Sequence, residues 1–208
     1  MNFDYADRAI KDMNRRALRA FNGLRTMKFD ELNVLRSVSK VYDELVERAK
    51  KWFLLIARDA YAEALIEAGI RSREAERRAE EDITNDWVLD MLEDYDGVTM
   101  YRFVSEVERK KQRTAEAILA TEVERNREID KSLRLWIQQI AQYADNAVTY
   151  ATIDGYIEAG VKKVRWHTQE DDRVCVECNK LDEKVFEMDA IPDRPHFRCR
   201  CWLSIEKG

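Results

Sequence analysis

From Val41 onward the apolar positions step by four and three: Val41, Leu45, Ala49, Trp52, Ile56 and Ala60, with Phe53, Ala57, Tyr61 and Ala64 widening the stripe. That spacing gives one apolar face to a long helix. Asp30 stands as its N-cap, and Gly69 marks its end, where a glycine tolerates the left-handed terminal residue. A second, acidic helical stretch starts at Ser72. Thr84 caps a third before Trp87, Val88, Met91 and Leu92, closed by Gly97 after Asp94-Tyr95-Asp96. Between Thr99 and Gly160 the only strong breaker is Gly155, and Ile129, Leu133, Trp136, Ile140, Tyr143, Ala147 and Tyr150 again step by four or three. At about 1.5 Å per residue an unbroken helix there would reach roughly 90 Å, so the spacing predicts one fold-back, around Glu122–Arg127. These steps suit a helical bundle. Trp52, Phe53, Trp87 and Trp136 read as core, and the charged run Glu108-Arg109-Lys110-Lys111-Gln112-Arg113 as a solvated helix face.

After Gly160 the pattern changes. Val161 to His167, Lys184-Val185-Phe186 and Cys201 to Ile205 read as short strands, and both prolines, Pro192 and Pro195, and all four cysteines follow residue 174. The chain divides into a helical body over 1–160 and a small, differently built module over 161–208. The expected fold class is mainly α, a long-helix bundle body with a small α+β, zinc-stapled C-terminal module.

Composition supports this division. Of 208 residues 37% are charged, and six glycines with two prolines leave little room for an all-β architecture. The longest uncharged apolar stretch, Trp52 to Ala57, is bounded by Lys51 and Arg58, far short of the roughly 18 residues of a membrane span. The start, Met1-Asn2-Phe3-Asp4, lacks the bases and apolar run of a signal peptide, so a cytosolic setting is expected. A net charge of −5 argues against nonspecific nucleic-acid binding by the whole chain, although residues 1–40 are weakly basic and 41–98 acidic.

The chemistry concentrates at the carboxyl end. Cys175-Val176-Glu177-Cys178 is a C-x-x-C, Cys199-Arg200-Cys201 follows, and His196 precedes Cys199 at H-x-x-C spacing. Two short-range pairs joined by a longer loop suit the four-ligand tetrahedron of zinc. Disulfides, or thiols that are simply buried, are the competing readings; a reducing compartment and a module too small for a secure core favour zinc. Cys175 and Cys178 are the firmest ligands. The other two come from Cys199, Cys201 and His196, with the cysteines preferred and His196 a substitute or a hydrogen-bond donor to a ligand. Using both Cys199 and Cys201 is expected to require a turn or bulge there; Pro195 and Arg198 flank a candidate turn. Four protein ligands close the site, which makes it structural.

Other chemistry finds little support. There is no H-E-x-x-H and no G-x-S-x-G. Gly155 and Gly160 have P-loop separation, but Val161 replaces the lysine. Asp86, Asp90, Asp94 and Asp96 lack an EF-hand's glycine and final glutamate. A thioredoxin-like role needs a helix beginning inside the C-x-x-C, which Asn179-Lys180-Leu181-Asp182 does not suggest. His167, beside Asp171 and Asp172, reads as an inert loop histidine.

The run Trp166-His167-Thr168, Asp171-Asp172-Arg173-Val174-Cys175-x-x-Cys178, Leu181-Asp182, Lys184-Val185-Phe186 and Pro195-His196-x-x-Cys199-Arg200-Cys201 resembles the C-terminal domain of the tailed-phage minor head proteins, also described as Mu F-like head morphogenesis proteins. The likeness begins near Ile140. It departs at Phe197, where relatives carry proline, and at Glu183, where they carry glycine. The resemblance implies a non-enzymatic minor capsid protein, partnered by portal protein and capsid subunits, located in the virion at the capsid interior or portal and in host cytoplasm during assembly. It also implies possible DNA contact. A chain stopping at Gly208 leads one to expect no fused enzyme. The alternatives are a zinc-containing DNA binder using Lys162, Lys163, Arg165, Arg198 and Arg200, and a thiol redox enzyme using Cys175 and Cys178.

Overall fold

The computed structural model describes residues 4–28, 33–93, 103–169, 174–196 and 199–207. Among these residues seven α-helices run in order: α1 Asp4–Thr26, α2 Val34–Glu67, α3 Ser72–Asp82, α4 Asn85–Glu93, α5 Phe103–Leu119, α6 Glu122–Glu158 and α7 Val176–Leu181. Three strands, β1 Lys163–His167, β2 Val185–Glu187 and β3 Trp202–Ile205, make an antiparallel sheet ordered β2-β1-β3. The mainly α class with a small sheet stands as expected. Among the described residues no helix is long and apolar enough to cross a membrane.

Side-chain contacts orient the bundle. Tyr42 of α2 reaches Ser132 of α6 through Thr114, Phe53 packs on Tyr143, and Ala64 meets Gly155, so α2 and α6 run parallel side by side. α1 and α5 pack against this pair in the opposite sense: Trp52 and Arg25 reach Asp12 and Asp130, and Phe103 lies against Phe53. The α2 stripe buries Leu45, Ala49, Phe53, Ile56, Ala57, Ala60, Tyr61 and Ala64, while Val41 and Trp52 sit at its margin. Phe53 and Trp136 are core. Trp52 and Trp87 instead pack at its edge, where their indole N–H groups donate to Asp12 (3.2 Å) and Asp154 (2.8 Å).

Several expectations shift. The fold-back lies at Ala120–Thr121, ahead of Glu122–Arg127, because Thr121 caps α6: its hydroxyl accepts from the Glu124 N–H and donates to the Glu124 carboxylate, both at 3.1 Å. The run from Glu108 to Arg113 is not wholly solvated. Lys110 is buried and paired with Glu128 at 2.8 Å, and Lys111 reaches Asp43. Helix α2 starts at Val34 after Asn33; Asp30, Gly97 and Asp94-Tyr95-Asp96 lie outside the described residues. The expected end at Gly69 (φ +95°) and the Thr84 cap on Trp87 N–H (3.3 Å) are observed.

The sheet packs on the same ends of α2 and α6. Val164, Trp166, Leu203 and three cysteines form an apolar cluster that draws in Ala64 and Tyr156 from the helices. The outward edge of β3 is covered by these helices too: Ile205 N–H donates to the Glu67 carboxylate (3.0 Å), and the Tyr156 hydroxyl donates to Glu67 (2.7 Å) with a longer approach to Leu203 O (3.4 Å). An edge satisfied in this way does not recruit another strand.

Candidate metal centre

Two pieces of chain deliver the donors. Cys175 is the N-cap of α7, its Sγ accepting the Cys178 N–H at 3.3 Å, and the first turn of that helix brings Cys178 into the core beneath β1. A helix therefore does begin inside the C-x-x-C, contrary to the reading of Asn179-Lys180-Leu181-Asp182. Sulfur capping supplies the start signal that a standard Ser, Thr or Asp would give. The second piece is His196 to Cys201. Cys199 N–H donates to His196 O at 3.2 Å, and Arg194 donates to Cys199 O at 2.8 Å. Cys199 and Cys201 precede β3, which begins at Trp202, and both are buried with their sulfurs in one group with that of Cys178. Arg198 and Phe197, in the candidate turn, lie outside the described residues.

The donor atoms fall into two groups, Cys175–Cys178–His196 and Cys178–Cys199–Cys201, within each of which all lie inside 4.8 Å of one another. Cys178 belongs to both. Its Sγ is 3.6 Å from that of Cys199 and 3.1 Å from His196 Nε2. A zinc tetrahedron with Zn–S of about 2.3 Å has S···S edges of about 3.8 Å, so the spacing within each group of three, and the thiol and imidazole chemistry, fit such an ion, while no four of the donors lie within 4.8 Å of one another. All four cysteines are free thiols. Without a cation their protons are shared unequally. The hydrogen bond from Cys201 holds the Cys199 thiol well below its ordinary range, and the same bond pushes Cys201 up. Burial pushes Cys178 up, and the backbone N–H of Cys178 draws Cys175 down. Several thiolates in one buried site repel each other; a divalent cation removes that penalty.

His167 is neither in a loop nor exposed. It ends β1, stacks on Trp202 at 4.2 Å, and joins Glu183 Oε1 (2.9 Å) to Ser204 Oγ (2.7 Å). Asp171 and Asp172 lie outside the described residues. The Ser204–His167–Glu183 chain has the order of a hydrolytic triad, but it sits on the outward face of the sheet beside the pairs Lys163–Glu187 (3.0 Å) and Arg165–Glu206 (2.8 Å), as part of a cross-strand polar ladder. That ladder also commits Lys163 and Arg165, two of the cations that a DNA-binding reading would use. Sequence reasoning missed Glu67 and Gly155 as junction residues, since neither carries a motif.

Residues 99–204, just over half the chain, match the family model described as Phage Mu protein F like protein. The match takes in α5 and all of α6, reaching well ahead of Ile140, where the motif likeness begins. No curated protein and no solved structure matches.

Proposed function

The chain belongs to the phage Mu protein F-like family of head-morphogenesis proteins, and from that premise we propose that it is a minor capsid protein that associates with the portal and enters the procapsid. In this reading residues 1–160 dock on portal or capsid subunits, and residues 161–208 are a module held rigid by zinc. Cys175, Cys178, Cys199, Cys201 and His196 are the candidate holders, and the ion supplies a structural cross-link. The observation that carries the reading is the family match spanning both the bundle helices α5 and α6 and the cysteine-bearing sheet.

Surface chemistry supports docking. Met27, Leu35, Leu119 and Val123 are exposed at the end of the bundle away from the sheet, where α1 ends, α2 begins and α5 turns into α6. Apolar side chains gathered at one bundle end suit burial against another protein. The test is co-expression with the portal protein of the same phage. Stable co-purification, weakened by Leu119→Glu with Val123→Glu, is the expected result; separate elution at micromolar concentrations of both would contradict the proposal.

A further inference from the structure

The two donor groups differ in burial. Cys178, Cys199 and Cys201 are all buried, whereas Cys175 and His196 are each half-exposed on the solvent side of the shared Cys178 sulfur. Five donors compete for four tetrahedral positions. From this arrangement we infer that the centre is built from a fixed inner triad, Cys178, Cys199 and Cys201, and one outer position that Cys175 and His196 can fill interchangeably. The inference rests on the metal reading above and names which of its ligands is dispensable.

The two outer donors arrive on separate pieces of chain. Cys175 stands at the head of α7, and His196 lies in the segment after Pro195, its carbonyl tied to the Cys199 N–H. Cys175 and His196 line one small opening together with Thr168, Gln169, Arg200, Cys178 and Cys201, so exchange needs movement only there. The inner triad stays in the apolar cluster with Trp166 and Leu203. A closed four-cysteine centre and a three-cysteine, one-histidine centre thus become two states of one site. The side on which they interconvert is the side from which a metal or a competing thiol reaches it.

Cobalt(II) titration of the full chain, read by its thiolate charge-transfer and visible bands, separates the possibilities. Cys175→Ser is suited to the test because serine preserves the N-cap of α7, and His196→Gln keeps a polar side chain in place. Each single variant should still bind one cobalt in tetrahedral form within about 10-fold of wild type, their spectra differing by one thiolate contribution. The double variant should lose more than about 100-fold because it keeps only three donors, and so should Cys178→Ser, whose remaining Cys175 and His196 share one position beside Cys199 and Cys201. Loss of tetrahedral cobalt in either single variant, or its retention in the double variant, would overturn the shared outer position. Failure of wild type to bind cobalt would instead defeat the metal reading and this inference with it.

Discussion

Gly155 is a point of close approach between the two parallel helices α2 and α6, and replacing it by alanine probes the junction beneath the sheet. A Cβ at position 155 would lie 2.9 Å from Ala64 Cβ and 3.0 Å from Tyr61 O. Ordinary carbon contacts are about 3.5–4.0 Å, so the helices must part by more than half an ångström. Neither neighbour can rotate away, one being a backbone carbonyl and the other a methyl fixed to the helix. The overpacking cost therefore belongs near the top of the usual range, about 3 kcal/mol. Against it stands the helix propensity gained by replacing glycine with alanine, about 1 kcal/mol. The net loss of about 2 kcal/mol corresponds to a fall in Tm of roughly 4–8 °C for a chain of this size. Thermal unfolding followed by circular dichroism at 222 nm reads it directly. Ala64→Gly in the same chain removes the shorter contact, so the double variant should be more stable than the sum of the two single losses predicts. A Gly155→Ala protein melting at or above wild type would refute the close-approach reasoning.

Two further outcomes follow from named contacts. Glu67→Gln replaces the carboxylate that accepts from both Tyr156 and Ile205; Glu67 is exposed, so the loss should be about 1 kcal/mol, seen as roughly five-fold faster hydrogen exchange at the Ile205 amide with little change in the α2 interior. Hydrogen bonds from Arg16 and then Arg15 hold the Asp12 carboxyl well below the usual carboxylate range. Its contribution is therefore present above the unfolded value of about 3.9 and is lost as pH falls through the lower folded value. Urea midpoints of wild type and Asp12→Asn should stay separated down to about pH 3; convergence by about pH 4 would contradict the arrangement.

Long elements with a strong apolar period were readable from the sequence: the α2 stripe, the α6 stripe and the three strands all lie where the residue pattern puts them. What escaped had weaker or unfamiliar signals. The α1 stripe, Ala6, Ala9, Met13, Ala17, Phe21 and Leu24, is half alanine, which hydrophobic patterning registers poorly. The start of α7 depends on a cysteine cap, and the inward turn of Lys110 depends on a partner, Glu128, on another helix. At the site, spacing alone identified the five donors. It could not reveal that they divide into two groups around Cys178, because that division depends on how the head of α7 meets the His196 and Cys199–Cys201 segment in space. Glu183 shows the same limit. It occupies a left-handed conformation at φ +60°, a region that favours glycine, and its side chain turns to Arg165 and His167.

In the proposed function the cysteine and histidine cluster holds a metal that makes the C-terminal module rigid. Elemental analysis of the full chain, purified without chelator and combined with thiol titration of the native protein, tests it most directly. One zinc per chain, thiols that react only after the metal is removed, and a lower Tm once it is gone are the expected results. Metal-free protein whose four thiols titrate freely, with a Tm unchanged by added zinc, would contradict it.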